Sequence, residues 1–182
     1  MIKYKALKII AAGLQKNGIK YKVFNNSYLE ELEVPFRTFN GHNLVAKFIA
    51  VDHDNDISIR IYGIVRNVPN DKRMRIYDAI SVIYQGDERC YFKFVLDKNG
   101  DVDAQYDLPV NVSDESLGEI GYEILARLIH LLDNKYSVFM KALYSNEELD
   151  PDVEDICGEN DDALEFVDND DDEDSSDENG AK

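Results

Sequence analysis

The stretch from Cys90 to Leu108 constrains the fold most, because only one hairpin register suits its side chains. Cys90, Phe92, Phe94 and Leu96 alternate with Tyr91, Lys93, Val95 and Asp97. Further on, Val102, Ala104, Tyr106 and Leu108 alternate with Asp101, Asp103, Gln105 and Asp107. Period-2 patterning of this kind marks two strands with one apolar and one mostly polar face. A two-residue Asn99-Gly100 loop would set Leu96 opposite Asp103. A three-residue loop, Lys98-Asn99-Gly100, sets Leu96 against Val102, Phe94 against Ala104 and Phe92 against Tyr106. Only the second puts apolar on apolar. It makes a type I turn that opens on Asp97, with Gly100 in the left-handed bulge position.

The flanking segments supply more strands and three helices. Lys3 to Asn17 reads as a first helix, with Tyr4, Leu7, Ile10, Ala11 and Leu14 on one face and Asn17-Gly18 as its stop. Ile19 to Phe24 has the pattern of a short edge strand. Leu32, Val34 and Phe36 alternate with Glu31, Glu33 and Pro35, a strand near an edge because proline cannot donate to a ladder. Leu44 to Val51 is apolar on both faces apart from Lys47, as in a central strand, and Ile57, Ile59, Ile61 and Val65 alternate with polar neighbours. Polar turns at Asn40-Gly41 and Asp52 to Asp56 join these three strands into a meander. Val68-Pro69-Asn70-Asp71 starts a second helix, whose apolar face is read as Met74, Tyr77, Ile80 and Tyr84, widened by Ile76 and Ile83, with Gly86 closing it. Pro109 ends the hairpin, and Ser113 or Ser116 caps a last helix, the latter with Glu119 as a capping box. Leu117, Ile120, Ile124, Leu128, Leu131 or Leu132, Tyr136, Phe139 and Leu143 keep helical spacing along it. The expected class is α+β, an antiparallel sheet in the order α-β-β-β-α-β-β-α.

Charge divides the chain into two parts. Residues 145–182 carry 18 Asp and Glu against one Lys, whereas residues 1–144 carry 19 acids against 19 Lys and Arg. The expected organisation is a domain over 1–144 and a disordered acidic tail over 145–182, since such a composition buries too little apolar surface to offset its conformational entropy. Val153 with Ile156, and Leu164 with Phe166-Val167, are apolar islands in that tail. A balanced domain argues against direct nucleic-acid binding, which needs a basic surface. Met1 to Lys22 holds six lysines and no acid. Its lysines precede Ala6 to Leu14 in the manner of a signal peptide, but Lys8 interrupts the run and no small-residue cleavage site follows. No stretch approaches 18 apolar residues, so no membrane span is expected. Two cysteines, Cys90 and Cys157, cannot build a disulfide framework, and the expected location is the cytoplasm.

Motifs for chemistry are weak. Asp52-His53-Asp54-Asn55-Asp56 resembles the start of an EF-hand loop, but the sixth and twelfth positions are Ile57 and Gly63. Asp97, Asn99, Asp101 and Asp103 alternate as well, with Gly100 fourth and Leu108 twelfth, so both stretches read as turns. His42, His53 and His130 show no ligand spacing, and no nucleophile elbow or Gly-rich phosphate loop occurs. Gly118-Glu119-Ile120-Gly121 reads as a close helix–helix or helix–sheet approach. No catalytic residue, cofactor or metal site is assigned. Lys3, Lys5 and Lys8, with Arg66, Lys72, Arg73 and Arg75, are candidate docking points for the acidic tail or a partner.

One family resemblance emerges. The runs Arg75-Ile76-Tyr77-Asp78-Ala79-Ile80 and Tyr91-Phe92-Lys93-Phe94-Val95-Leu96-Asp97-Lys98-Asn99-Gly100-Asp101-Val102, then Asp107-Leu108-Pro109 and a long helix with Leu117 and Leu125, resemble the YbjN-domain family. The match covers about residues 3–144 and is best from Pro69 onward. This chain has Ser81 and Gln85 where the family commonly has Asn, and the acidic tail lies outside the family pattern. The resemblance implies the fold of type III secretion chaperones and a bacterial, non-enzymatic module, often dimeric in the wider fold, with no catalytic residues to carry over. The expected function is a non-catalytic protein-binding module, chaperone-like or regulatory, whose partner is another protein or a second copy. The competing readings are a small enzyme with a spatially assembled site and an acidic tail that mimics nucleic acid.

Overall fold

A computed structural model describes residues 2–25, 29–38, 41–51, 56–86 and 91–149. The elements are α1 (Lys5–Lys16), β1 (Lys22–Asn25), β2 (Leu29–Arg37), β3 (Asn43–Val51), β4 (Asp56–Val65), α2 (Arg73–Gly86), β5 (Lys93–Leu96), β6 (Val102–Pro109) and α3 (Leu117–Tyr144), with a 3-10 turn at Asn70–Lys72 leading into α2. They form an α+β domain. One antiparallel sheet of six strands runs β1-β2-β3-β4-β6-β5. The expected order lacked one strand: four, not three, separate α1 from α2. The additional strand is β1, which overlaps the edge strand read at Ile19 to Phe24 but begins at Lys22, and all four of its side chains are exposed, as suits an edge. β1 pairs with β2 only as far as Glu33, two residues short of Pro35, which therefore keeps an edge-like position.

All three helices lie on one face of the sheet. The even-numbered residues Leu32, Val34, Phe36, Ala46 and Phe48 and the odd-numbered Ile57, Ile59 and Ile61 point beneath them and are almost fully buried. Each of these side chains larger than Ala46 contributes about 2 kcal/mol on leaving water. α3 packs against both α1 and α2 and reaches the sheet, where Phe139 meets Phe94 edge-on at 5.5 Å. Leu7, Ile10, Ala11 and Leu14 of α1 are buried as the spacing predicts, and Tyr4 with them.

The hairpin takes the three-residue turn. Leu96 pairs with Val102 and Phe94 with Ala104, and the Phe92 and Tyr106 rings lie 5.5 Å apart. Gly100 has φ +94°, and a Cβ there would meet the Val68 carbonyl at 2.9 Å. Glycine is therefore required twice at this position, by its left-handed backbone and by the approach of the 66–70 loop. The turn acids have backbone partners. Asp97 accepts N–H bonds from Asn99 (2.7 Å) and Asp101 (2.8 Å), and Asp101 accepts from Asn67 (2.9 Å). The bond from the Asp101 amide is the first cause holding the Asp97 carboxyl below its ordinary value.

Three local expectations are corrected. Ser116 stands at the N-terminus of α3, but its side chain makes no capping bond: its hydroxyl and amide go to Asp114 (2.7 and 2.9 Å), while Glu119 pairs with Lys16 at 3.4 Å. There is thus no capping box. On α2 the buried face is Ile76, Ala79, Ile80 and Ile83, whereas Met74, Tyr77 and Tyr84 are exposed. On α3 the deepest line runs through Gly118, Gly121, Leu125 and Leu128, and Ile120, Ile124 and Leu143 sit at its flank, half-buried. The Gly118–Gly121 spacing is the helix–helix approach expected. Gly13 of α1 is its partner, and a Cβ on Gly118 would meet the Ile9 carbonyl at 2.8 Å.

Candidate functional site

Among the described residues no helix covers the second face of the sheet. Along one row of the ladder lie Lys22, Glu33, Lys47, Arg60, Gln105 and Lys93, one from each strand. Lys47 bonds Glu31 at 2.9 Å and Glu33 at 2.5 Å. Burial opposes the charge on Lys47, but the two glutamates outweigh it and raise its pKa. Arg60 reaches Asp107 at 2.6 Å and the Tyr106 carbonyl at 3.0 Å. That Arg60 bond is the main cause of the lowered Asp107 pKa, and Ser58 adds to it. These cations and acids neutralise one another across strands, a pairing visible only once the register is known.

Asp103, on the same face of β6 as Gln105 and Asp107, has no cation partner among the described residues. It is 9% exposed on β6, and its carboxylate accepts the Gly63 amide at 2.9 Å where β4 bulges between Ile61 and Val65. Burial raises its pKa above 3.8, the Gly63 bond opposes the rise, and the charges of Asp97 and Asp101 add to it. A raised folded-state pKa means that the folded protein binds this proton more tightly than the unfolded chain does. Its stabilising effect is complete below pH 3.8 and is lost as pH rises through the folded value. Asp103→Asn keeps the acceptor without the charge, so its stability relative to the parent should climb with pH across that window. Asp103→Leu strands the Gly63 N–H and should be less stable than Asp103→Asn by about 2 kcal/mol at pH 7. Urea unfolding at pH 3 and pH 7 checks both, and a pH-independent Asn effect would refute the assignment.

The basic residues singled out in the sequence fall at two ends of the sheet. Lys3, Lys5 and Lys8 belong to the N-terminus of α1. This is anchored beside the Glu30–Ala50 pair, where the Glu30 carboxylate accepts the amides of Lys3 (2.7 and 2.9 Å) and Tyr4 (2.9 Å). The ammonium of Lys3 lies 4.8 Å over the Tyr4 ring. Arg66, Lys72, Arg73 and Arg75 lie at the other end, with the hairpin turn and the C-terminus of α3. Asn43 at the start of β3 and Ala50 near its end are seven residues or about 23 Å apart.

Within this second cluster the roles differ. Arg73 donates to the Lys98 carbonyl at 3.0 Å and to that of Asp97 at 3.5 Å, so it ties α2 to the hairpin turn. Arg75 donates to the carbonyls of Ser145 (3.1 Å) and Glu147 (2.8 Å) and holds the chain where it leaves α3. Lys141 adds a 3.7 Å contact to Glu147, and Leu149 packs half-buried against the core. Arg66 and Lys72 have no partner among the described residues.

Beside Arg66 lies an open groove of about 370 Å³, between the start of β3, the bulge of β4 and the last two turns of α3. Leu44, Ile64, Met140 and Leu143 supply apolar walls, and His42 and Arg66 the polar rim. The His42 and Tyr136 rings meet at 4.4 Å, tilted by 43°. Burial raises the Tyr136 phenol pKa, with a smaller contribution from Tyr144. Neither His42 nor Tyr136 stood out in the sequence as a pair, since 94 residues separate them. His130 faces away, its Nε2 2.9 Å from Asn134 on exposed α3 surface. Cys90, Cys157, His53, the Asp52 to Asn55 turn and residues 150–182 lie outside the described residues.

The other unmatched surface is on α2. Met74 is 70% exposed and Tyr77 48% exposed, both on the side opposite Ile76, Ala79 and Ile83. Tyr84 continues the stripe but also serves the fold, because its hydroxyl accepts the outward Phe94 amide at 2.6 Å and covers the free edge of β5. The sequence signal was present, because α2 carries two apolar stripes. Packing chose the Ile and Ala stripe, whose side chains have no polar atom to satisfy, over the Met and Tyr stripe.

Together these features define an α+β domain with one charged open sheet face, an aromatic helix stripe and a basic end at which the C-terminal segment leaves the fold. Neither a protein-family model nor a curated protein matches the chain. Among the described residues no helix is long and apolar enough to cross a membrane.

Proposed function

We propose that this chain is a non-catalytic protein-binding module of the YbjN type, with a type III secretion chaperone-like fold, acting in the cytoplasm through contact with another protein. The exposed Met74–Tyr77 stripe on α2 carries the reading. Methionine and tyrosine are adaptable, area-rich contact residues, and they stand here on a helix whose opposite side is already buried. Lys72 and Arg75 flank them and suit a partner with acidic residues around an apolar centre.

Met74→Glu with Tyr77→Glu tests the proposal in the full chain. Both side chains are exposed, so the urea midpoint should stay within about 0.5 kcal/mol of the parent. From a native lysate, the parent should retain a protein that the double variant does not. Equal retention by both, or turnover of a metabolite by the parent, would overturn the reading.

A further inference from the structure

We propose that residues 150–157 of this same chain dock in the groove beside Arg66. Three observations converge on it. First, the exit of the chain is held at this end: Arg75 grips the Ser145 and Glu147 carbonyls, the Glu147 amide bonds the Ser145 hydroxyl at 3.0 Å, and Leu149 packs against the core. The segment that follows therefore begins six residues after Tyr144, which lines the groove, in a stretch that Arg75 holds. Eight further residues span at most about 28 Å when extended, enough to turn back to it and too few to cover much else.

Second, the chemistries match. The segment reads Asp150-Pro151-Asp152-Val153-Glu154-Asp155-Ile156-Cys157, with four acids and two apolar side chains three residues apart. The groove offers apolar Leu44, Met140 and Leu143 below Arg66, which has no partner among the described residues and whose stem lies across Gly63. Val153 and Ile156 fill the apolar part, and the neighbouring carboxylates meet Arg66.

Third, size selects a short occupant. A volume of about 370 Å³ holds a few side chains, not a 33-residue tail. Tethering gives so short a linker a millimolar effective concentration, so weak contacts suffice to keep the segment in place. The lysines of α1 are the rival site. They lie at the opposite end of β3, and Lys3 already sits over Tyr4. The inference does not rest on the α2 partner reading, and neither variant of that test touches the groove.

A nitroxide on Cys157 of the full chain carrying Cys90→Ser tests it by amide line broadening. At low salt, broadening should centre on His42 to Leu44 and Gly63 to Arg66. It should fall as salt shortens the screening length, and it should be lost in Arg66→Glu. Val153→Asp with Ile156→Asp, which alters only residues beyond Leu149, should remove it too while leaving the other amide positions unchanged. Broadening centred on Lys3 to Lys8, or none beyond that from free nitroxide, would overturn the proposal.

Discussion

Replacing Gly13 with alanine should lower the unfolding free energy by about 3 kcal/mol, at the upper end of overpacking effects. In an isolated helix the same change would raise stability by about 1 kcal/mol. The sign reverses because α1 and α3 cross backbone to backbone. A Cβ on Gly13 would fall inside the Gly118 carbonyl group, and neither backbone can step aside as a side chain could. The helices must separate, which opens contacts around Leu7, Ile10 and Leu125. Gly118→Ala should cost a similar amount, since its Cβ would meet the Ile9 carbonyl at 2.8 Å. Gly121→Ala should be milder, because its nearest neighbour is the Ile10 side chain at 3.1 Å, which can adjust. The Gly13 and Gly118 changes should be less than additive, as the first already wedges the helices apart. Urea unfolding of the two single variants and the double variant measures all of this. A Gly13→Ala protein more stable than the parent would rule out the close crossing.

The second large effect is expected at Glu30. This glutamate is 1% exposed, on the core face of β2, yet no cation among the described residues holds it. Its partners are the Lys3 and Tyr4 amides at the start of α1. Tyr4 is the N-cap residue and has no capping side-chain bond of its own, so a strand residue from the sheet caps the helix. The carboxylate also suits the positive end of the helix dipole. Glu30→Ala removes the acceptor and leaves buried N–H groups unpaired, at a loss of about 3 kcal/mol. Glu30→Gln keeps one carbonyl acceptor but turns an NH2 toward a donor, and should lose about 1 kcal/mol. Hydrogen exchange should show the first turn of α1 opening in Glu30→Ala well before the sheet does. Unchanged protection of Leu7 and Lys8 would contradict the capping role.

These two sites show where sequence reading stops. The even-numbered face of β2 was legible from Leu32, Val34 and Phe36. Glu30 shares their parity, so its burial was encoded, but an acid at a core position reads as the end of a strand until its partners are known. Gly118 and Gly121 announced a close approach, whereas Gly13 did not, because one glycine amid Ala12 and Leu14 has no spacing of its own. At the basic end, Arg66, Lys72, Arg73 and Arg75 could be named as a cluster from their proximity in the chain. Their division into a hairpin tie, an exit clamp and two cations without partners among the described residues follows from contacts 24 to 72 residues apart.

By itself the sequence determined the α+β class, the helical spans, the central place of β3 and the register of the β5–β6 hairpin. In each of these a local period or a turn residue selects one geometry, and a slip by one residue would bury charge. Only the tertiary structure decided the pairing of β1 with β2, the stripe of α2 that packs, the glycine-lined crossing of α1 and α3, and which basic residues share an end with the exit of the C-terminal segment. Those depend on what each surface meets, and the meeting partners are set by long-range packing, on which local periodicity is silent.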